Sequence, residues 1–179
     1  MRKFVLIIGI FIMSFNSPAS AGMTMDDLTV YFQHLDRAEI VADWEWLIGK
    51  GKEPVLITAT GDAFLQDLKD GSIFFLDVTI GEFSLVTKSV DEFNALLSNQ
   101  EFVTNYFFVQ MIGEMKRVNV KLEKGQVYSF KVPPALGGKY ETSNVEVTSI
   151  YVHFSVNGQL HNQIKDVPAG TKVDSVKLE

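Results

Sequence analysis

Three histidines, His34, His153 and His161, carry the side chains in this sequence best suited to metal or acid–base chemistry. A zinc or non-haem iron site requires two or three histidines with a carboxylate in close geometry. His153 and His161 are eight residues apart, which matches no recognised ligand spacing. We therefore predict structural or surface roles for the histidines, and no metal site.

A row of aspartates is the second candidate for chemistry. A calcium loop of the EF-hand type needs aspartates at alternating positions, but Gln66 and Leu68 occupy those positions here. A pair of carboxylates can also hydrolyse glycosides, yet acids beside tight hairpin turns usually belong to the turn itself. Turn chemistry is thus the favoured interpretation of these four residues: Asp62, Asp67, Asp70 and Asp77.

Nucleophilic and phosphate-binding motifs are absent from the sequence. Ser155 is close to His153, but there is no G-x-S-x-G elbow. Residues 49–52 read GKGK, without the glycine spacing or the Ser/Thr of a phosphate loop. With no cysteine in the chain, thiol nucleophiles and zinc–thiolate sites are excluded as well. We predict a non-catalytic protein without a cofactor.

Two tryptophans are better suited to packing and recognition than to catalysis. In a helix over residues 37–48, Trp44 lies on the apolar face, whereas Trp46 is about 200° away and is expected to be exposed. Exposed aromatic side chains and acids are common anchors and steering groups at protein interfaces. The predicted partner-binding residues are Glu45, Trp46, Asp62 and Asp70.

The overall charge limits the kind of partner. The 179 residues contain 16 Lys and Arg against 22 Asp and Glu, which gives a formal charge of −6. This balance argues against direct nucleic-acid binding, which requires clustered basic surface. It is compatible with steering toward a basic protein surface.

Residues 1–21 have the pattern of a cleavable signal peptide. Arg2 and Lys3 precede an apolar run of about ten residues, and residues 19–21 form an A-x-A cleavage site. Cleavage leaves 14 bases and 22 acids, a net charge of −8, and predicts a periplasmic or secreted protein without a membrane anchor. The alternative is a cytoplasmic protein that starts at Met23 or Met25.

Periodicity in the remaining residues, 22–179, predicts a single α+β domain. Short helices are expected over residues 26–35 and 37–48, followed by an antiparallel meander between residues 55 and 86. A capping box at Ser89 predicts a helix, and a longer one is expected over residues 100–115. Later strands are predicted at residues 125–132 and 145–156, with a final helix over 158–167 favoured over a return strand.

Several stretches of the chain resemble one bacterial family. The clearest is VYSFKVPPALGGKY at residues 127–140. Others follow the same order along the chain: residues 43–49, 61–64, 70–77, 144–146, 152–155 and 158–161. Together they are similar to the C-terminal domain of type VI secretion immunity proteins.

The resemblance implies an α+β fold and a protein that binds and neutralises a toxic effector. It implies a DNA-degrading effector encoded nearby, and it supplies no catalytic or cofactor-binding residue. The alternative function is a periplasmic structural or ligand-binding module. A signal peptide conflicts with immunity to a nuclease, because the DNA is in the cytoplasm.

Overall fold

A four-stranded antiparallel meander forms the centre of the fold. The computed structural model describes residues 22–168, 170–173 and 175–178, so the predicted signal peptide lies outside the described residues. The strands are β1 (Lys52–Ile57), β2 (Ala63–Asp67), β3 (Ile73–Asp77) and β4 (Glu82–Thr87). They pair in sequence order, which confirms the predicted meander.

Alternation along the strands builds two separate apolar clusters. Phe64 and Phe75, which are paired across β2 and β3, belong to one cluster, whereas Leu65 and Leu76 belong to the other. Successive side chains of a strand point to opposite faces of the sheet. Both faces of the meander are therefore covered by apolar side chains from other elements.

The N-terminal helices are shorter than the sequence predicts. The chain forms α1 (Met25–Leu28), α2 (Arg37–Ile40), a 3₁₀ turn (Ala42–Trp44) and α3 (Glu45–Ile48). The helix predicted over residues 26–35 ends early because the backbone pairs with the end of β1, where Val30 N–H donates to the Ile57 carbonyl at 3.1 Å. The helix predicted over residues 37–48 is broken into three short turns.

Three helices then follow the meander: α4 (Val90–Leu96), α5 (Gln100–Tyr106) and α6 (Val109–Arg117). The predicted Ser89 cap is present, because its Oγ accepts the Glu92 N–H at 3.2 Å. The single helix predicted over residues 100–115 is wrong. Phe108 adopts a left-handed backbone (φ 45°, ψ 40°) that separates α5 from α6.

A second, two-stranded sheet and a long helix complete the fold. Strands β5 (Gln126–Phe130) and β6 (Val145–Ser149) pair antiparallel, and α7 (Ile150–Ile164) follows directly. The predicted strand over residues 145–156 is wrong beyond Ser149, whose Oγ accepts the Val152 N–H at 3.2 Å and caps α7. The helix favoured for the following residues is confirmed as far as Ile164. No helix in the part of the chain that the structure describes could cross a membrane.

Candidate binding surface

Glu45 and Trp46 lie together at the start of α3, but only Glu45 is exposed. The Trp46 indole N–H donates to the Gly158 carbonyl at 3.2 Å, and the ring stacks on Trp44 at 6.2 Å between centroids. The Lys165 ammonium lies 5.2 Å from the Trp46 ring centroid. The expectation of an exposed Trp46 is thus wrong, because this side chain joins α3 to α7.

Asp62 is fully buried, so its predicted exposure is also wrong. One carboxylate oxygen accepts the Val78 N–H at 2.9 Å, and the other accepts the Thr60 hydroxyl at 3.3 Å. The Asp62 N–H donates to Thr58 Oγ1 at 3.0 Å. These bonds connect the turn after β1 with the end of β3, and they leave no surface for a partner.

Asp70 is exposed, as predicted, in the turn between β2 and β3. Its carboxylate accepts the Ser72 N–H at 2.9 Å, which is typical turn chemistry. Because Asp62 and Asp70 flank opposite ends of β2, the four predicted partner-binding residues do not form one surface.

The two histidines of α7 pack against hairpin turns. His153 lies on Gly61 and His161 lies on Gly81, so closely that a Cβ at either glycine would overlap the imidazole. His153 and His161 are about two helical turns apart, which matches the separation of the two hairpin turns that they contact. The eight-residue spacing therefore reflects packing, and this agrees with the structural role predicted for both residues.

Burial shifts the pKa values of Asp62, His153 and His161. It raises the pKa of Asp62 well above its usual range, and the Asp77 carboxylate raises it further. Burial lowers the pKa of His153 to about 4 and also lowers the pKa of His161. These side chains are 0%, 4% and 6% exposed, so a substrate has no access to them. Among the described residues, no group of three His, Asp or Glu could hold a metal ion.

An exposed loop between β5 and β6 is held rigidly. The Asn144 side chain accepts the Val132 N–H at 3.0 Å and donates to the carbonyls of Val132 and Lys139 at 2.9 and 3.0 Å. Gly138 lies so close to the Val132 carbonyl that any Cβ would overlap it. The loop nonetheless presents three large apolar side chains that are 39% to 53% exposed: Val132, Leu136 and Tyr140.

A groove of about 360 Å³ continues from this loop onto α6. Its aromatic wall is formed by Phe108 and Tyr140, whose rings are nearly parallel (6°) with centroids 6.3 Å apart. Phe130 supports Tyr140 edge-on at 5.4 Å. The other lining residues are Thr104, Val109, Gln110, Met111, Glu114 and Thr142.

We name the loop between β5 and β6 and the adjoining groove together the loop–groove surface. The sequence alone did not predict this surface. Tyr140 belongs to the stretch 127–140 that carries the clearest resemblance, but its exposure depends on how the loop folds. Phe108 was expected to lie inside a continuous helix. The available signal was the Pro133-Pro134 and Gly137-Gly138 pairs, which predict a stiff, irregular segment around apolar residues spaced four apart.

Comparison with known proteins places this surface within a recognised family segment. A family model described as "T6SS immunity protein Tdi1, C-terminal" matches residues 87–161, which confirms the resemblance over those residues; the similar stretches at residues 43–49, 61–64 and 70–77 lie outside the match. The matched segment contains α4 to α6, the second sheet, the loop–groove surface and most of α7. No curated protein sequence matches the chain.

A solved structure is similar in fold. The crystal structure of Atu4351 from Agrobacterium tumefaciens superposes with a TM-score of 0.58, covering 77% of this chain and 69% of that chain. The two sequences are 12% identical, so the likeness concerns the fold alone.

Proposed function

We propose that this chain is a non-catalytic immunity protein that neutralises a toxic effector by binding it. The observation that carries the proposal is that the segment matched by the type VI immunity family, residues 87–161, also contains the rigid loop with exposed apolar side chains. Exposed apolar groups on a preformed surface are typical of protein interfaces. His153, His161 and the Asp62 carboxylate are buried in the core, away from any partner or substrate.

The proposed partner is a nuclease-type protein effector encoded near this chain, as the family resemblance implies. The excess of acids over bases favours association with a basic protein surface. The effector's compartment follows from the start of the mature chain. A form beginning at Gly22 would neutralise an effector that acts in the periplasm, whereas a nuclease-type effector requires a cytoplasmic form that begins at Met23 or Met25.

The test is co-expression of the full chain with the product of the adjacent reading frame in a host sensitive to that product. We expect growth to be restored, and we expect the two proteins to be retained together on an affinity resin at low salt. If no cells are rescued and the neighbouring product is not retained, immunity is excluded. The periplasmic structural or ligand-binding module then becomes the better account.

A further inference from the structure

The loop–groove surface is organised before any partner arrives. Asn144 joins the two ends of the loop through three side-chain hydrogen bonds, and Pro133 and Pro134 stiffen its beginning. Ordering a flexible loop on binding costs free energy that a rigid loop does not lose. A loop that holds Val132, Leu136 and Tyr140 partly in solvent, in a fixed geometry, therefore favours tight association.

The backbone at Phe108 fixes the opposite wall of the groove. A left-handed conformation is uncommon for a bulky residue and is maintained only where the surrounding structure enforces it. Here the flanking residues Phe107 and Val109 are buried in the core, and they anchor both sides of the break. The consequence is that the Phe108 ring lies in the groove, parallel to the ring of Tyr140.

The charge of the groove is negative. Glu114 is the one charged side chain among its lining residues. Burial raises the pKa of Tyr140, and the nearby Asp77 carboxylate raises it further. Of the two lysines of the loop, Lys131 donates to the Ser143 carbonyl at 2.9 Å, and Lys139 forms an exposed ion pair with Glu141 at 3.8 Å.

We infer that the loop–groove surface binds a basic protein segment, with an Arg or Lys side chain lying over Tyr140 and its charged end near Glu114. The aliphatic stem of such a side chain covers the exposed aromatic face, and its cation interacts with the ring and the carboxylate. The segment's apolar residues cover Val132 and Leu136. This inference rests on the proposed function in taking the effector as the source of the segment.

The chemistry of the surface can be tested without the effector. The probes are two synthetic twelve-residue peptides, one alternating Arg with Leu and the other alternating Glu with Leu. Backbone NMR spectra of the protein should show the Arg peptide shifting the amide signals of Phe108, Glu114 and Tyr140. Equal shifts with the Glu peptide, or shifts confined to other surfaces, would overturn the inference.

Variants of two groove residues test whether the peptide binds at this site. Tyr140→Ala and Glu114→Gln should each weaken binding of the Arg peptide, and circular dichroism should show that both remain folded. The matched controls are Tyr31→Ala and Glu123→Gln, which remove an exposed tyrosine and an exposed glutamate outside the groove. A control that weakens binding as much as its partner variant would show that the groove is not the site.

Measurements of effector binding distinguish a failure of this inference from a failure of the proposed function. In the complex, Tyr140→Ala should reduce affinity by about thirtyfold or more, as expected for an aromatic anchor. Glu114→Gln should mainly slow association and weaken its salt dependence. If the effector binds the Tyr140→Ala variant as tightly as it binds the original protein, the loop–groove surface is not the binding site. The proposed immunity function would be unaffected by that result. If no effector binds, the peptide experiment still decides the surface.

Discussion

The Asn144 side chain forms a two-way pair of hydrogen bonds with the backbone of Val132, accepting its N–H at 3.0 Å and donating to its carbonyl at 2.9 Å. These bonds hold together two residues that are twelve apart in the chain. They extend the pairing of β5 and β6 slightly beyond the ends of the two strands. Because Val132 precedes a proline, its backbone is already restricted to extended conformations. The pair closes the loop that presents Leu136 and Tyr140.

Gly138→Val should lower the free energy of unfolding by about 1–3 kcal/mol. The new Cβ would overlap the Val132 carbonyl oxygen and press on the Asn144 amide. The control is Gly137→Asn, because Gly137 has φ 87° with open space around it and asparagine tolerates that conformation. Urea denaturation measures both variants. Equal stability of Gly138→Val and the original protein would show that the close approach is incidental.

Asp62→Asn should change how stability depends on pH. The folded-state pKa of Asp62 is raised, so the folded protein holds this proton after the unfolded chain has released it. This contribution is fully present below about pH 4, the ordinary aspartate pKa, and is lost as the pH rises through the folded pKa. We therefore expect Asp62→Asn to gain stability relative to the original protein as the pH rises from 4 to 8.

The control for that experiment is Asp62→Leu. Leucine leaves the Val78 N–H without its acceptor, which costs about 1–3 kcal/mol for a buried group. This variant should be less stable at every pH between 4 and 8. If Asp62→Asn and the original protein follow parallel curves over that range, the raised pKa is wrong.

His153 should remain neutral down to about pH 4 in the folded protein. Its folded pKa is depressed, so the stability it contributes is present above the ordinary histidine pKa of about 6.5 and is lost as the pH falls through the folded value. The loss should approach about 3 kcal/mol below pH 4, and it should be missing from His153→Gln. NMR titration of the imidazole gives the pKa directly. A midpoint near 6.5 would contradict the burial argument.

The mature protein should begin at Gly22, because residues 19–21 form the A-x-A site. Intact-mass analysis of the protein from its native cell identifies the start. Met23 is 1% exposed and belongs to the core, so a chain starting at Met25 would lose a contribution of about 2–5 kcal/mol. A measured start at Met1, Met23 or Met25 would remove the periplasmic assignment.

The sequence predicts the meander well and the helices less well. Strands β1 to β4 follow from β-branched and aromatic runs separated by local turn signals such as residues 69–71. The boundaries of α5 and α6 depend on Phe108, whose left-handed backbone is enforced by long-range packing that no local pattern records. Likewise, Asn157-Gly158 indicates a hairpin turn, but Gly158 lies inside α7, where the absence of a Cβ allows the Asp43 carbonyl to approach closely.

The exposure of the candidate binding residues could not be predicted either, because it depends on contacts between distant parts of the chain. Asp62 has the sequence context of a turn residue, and only the three-dimensional contacts reveal that its carboxylate bridges two turns inside the core. Trp46 is on the predicted polar side of its helix, yet it packs against α7, more than 100 residues away in the sequence. Exposure of Tyr140 could not be predicted because it depends on the closure of the loop by Asn144.

The central claim is that this protein acts by stoichiometric binding, and a titration of effector activity tests it most directly. Increasing amounts of the purified protein are added to a fixed amount of the adjacent gene product, and the remaining effector activity, which is DNA cleavage for a nuclease, is measured. We predict a linear fall that ends near equal molar amounts and does not change with incubation time. Complete inactivation by a small fraction of an equivalent, progressing with time, would identify an enzyme and contradict the account.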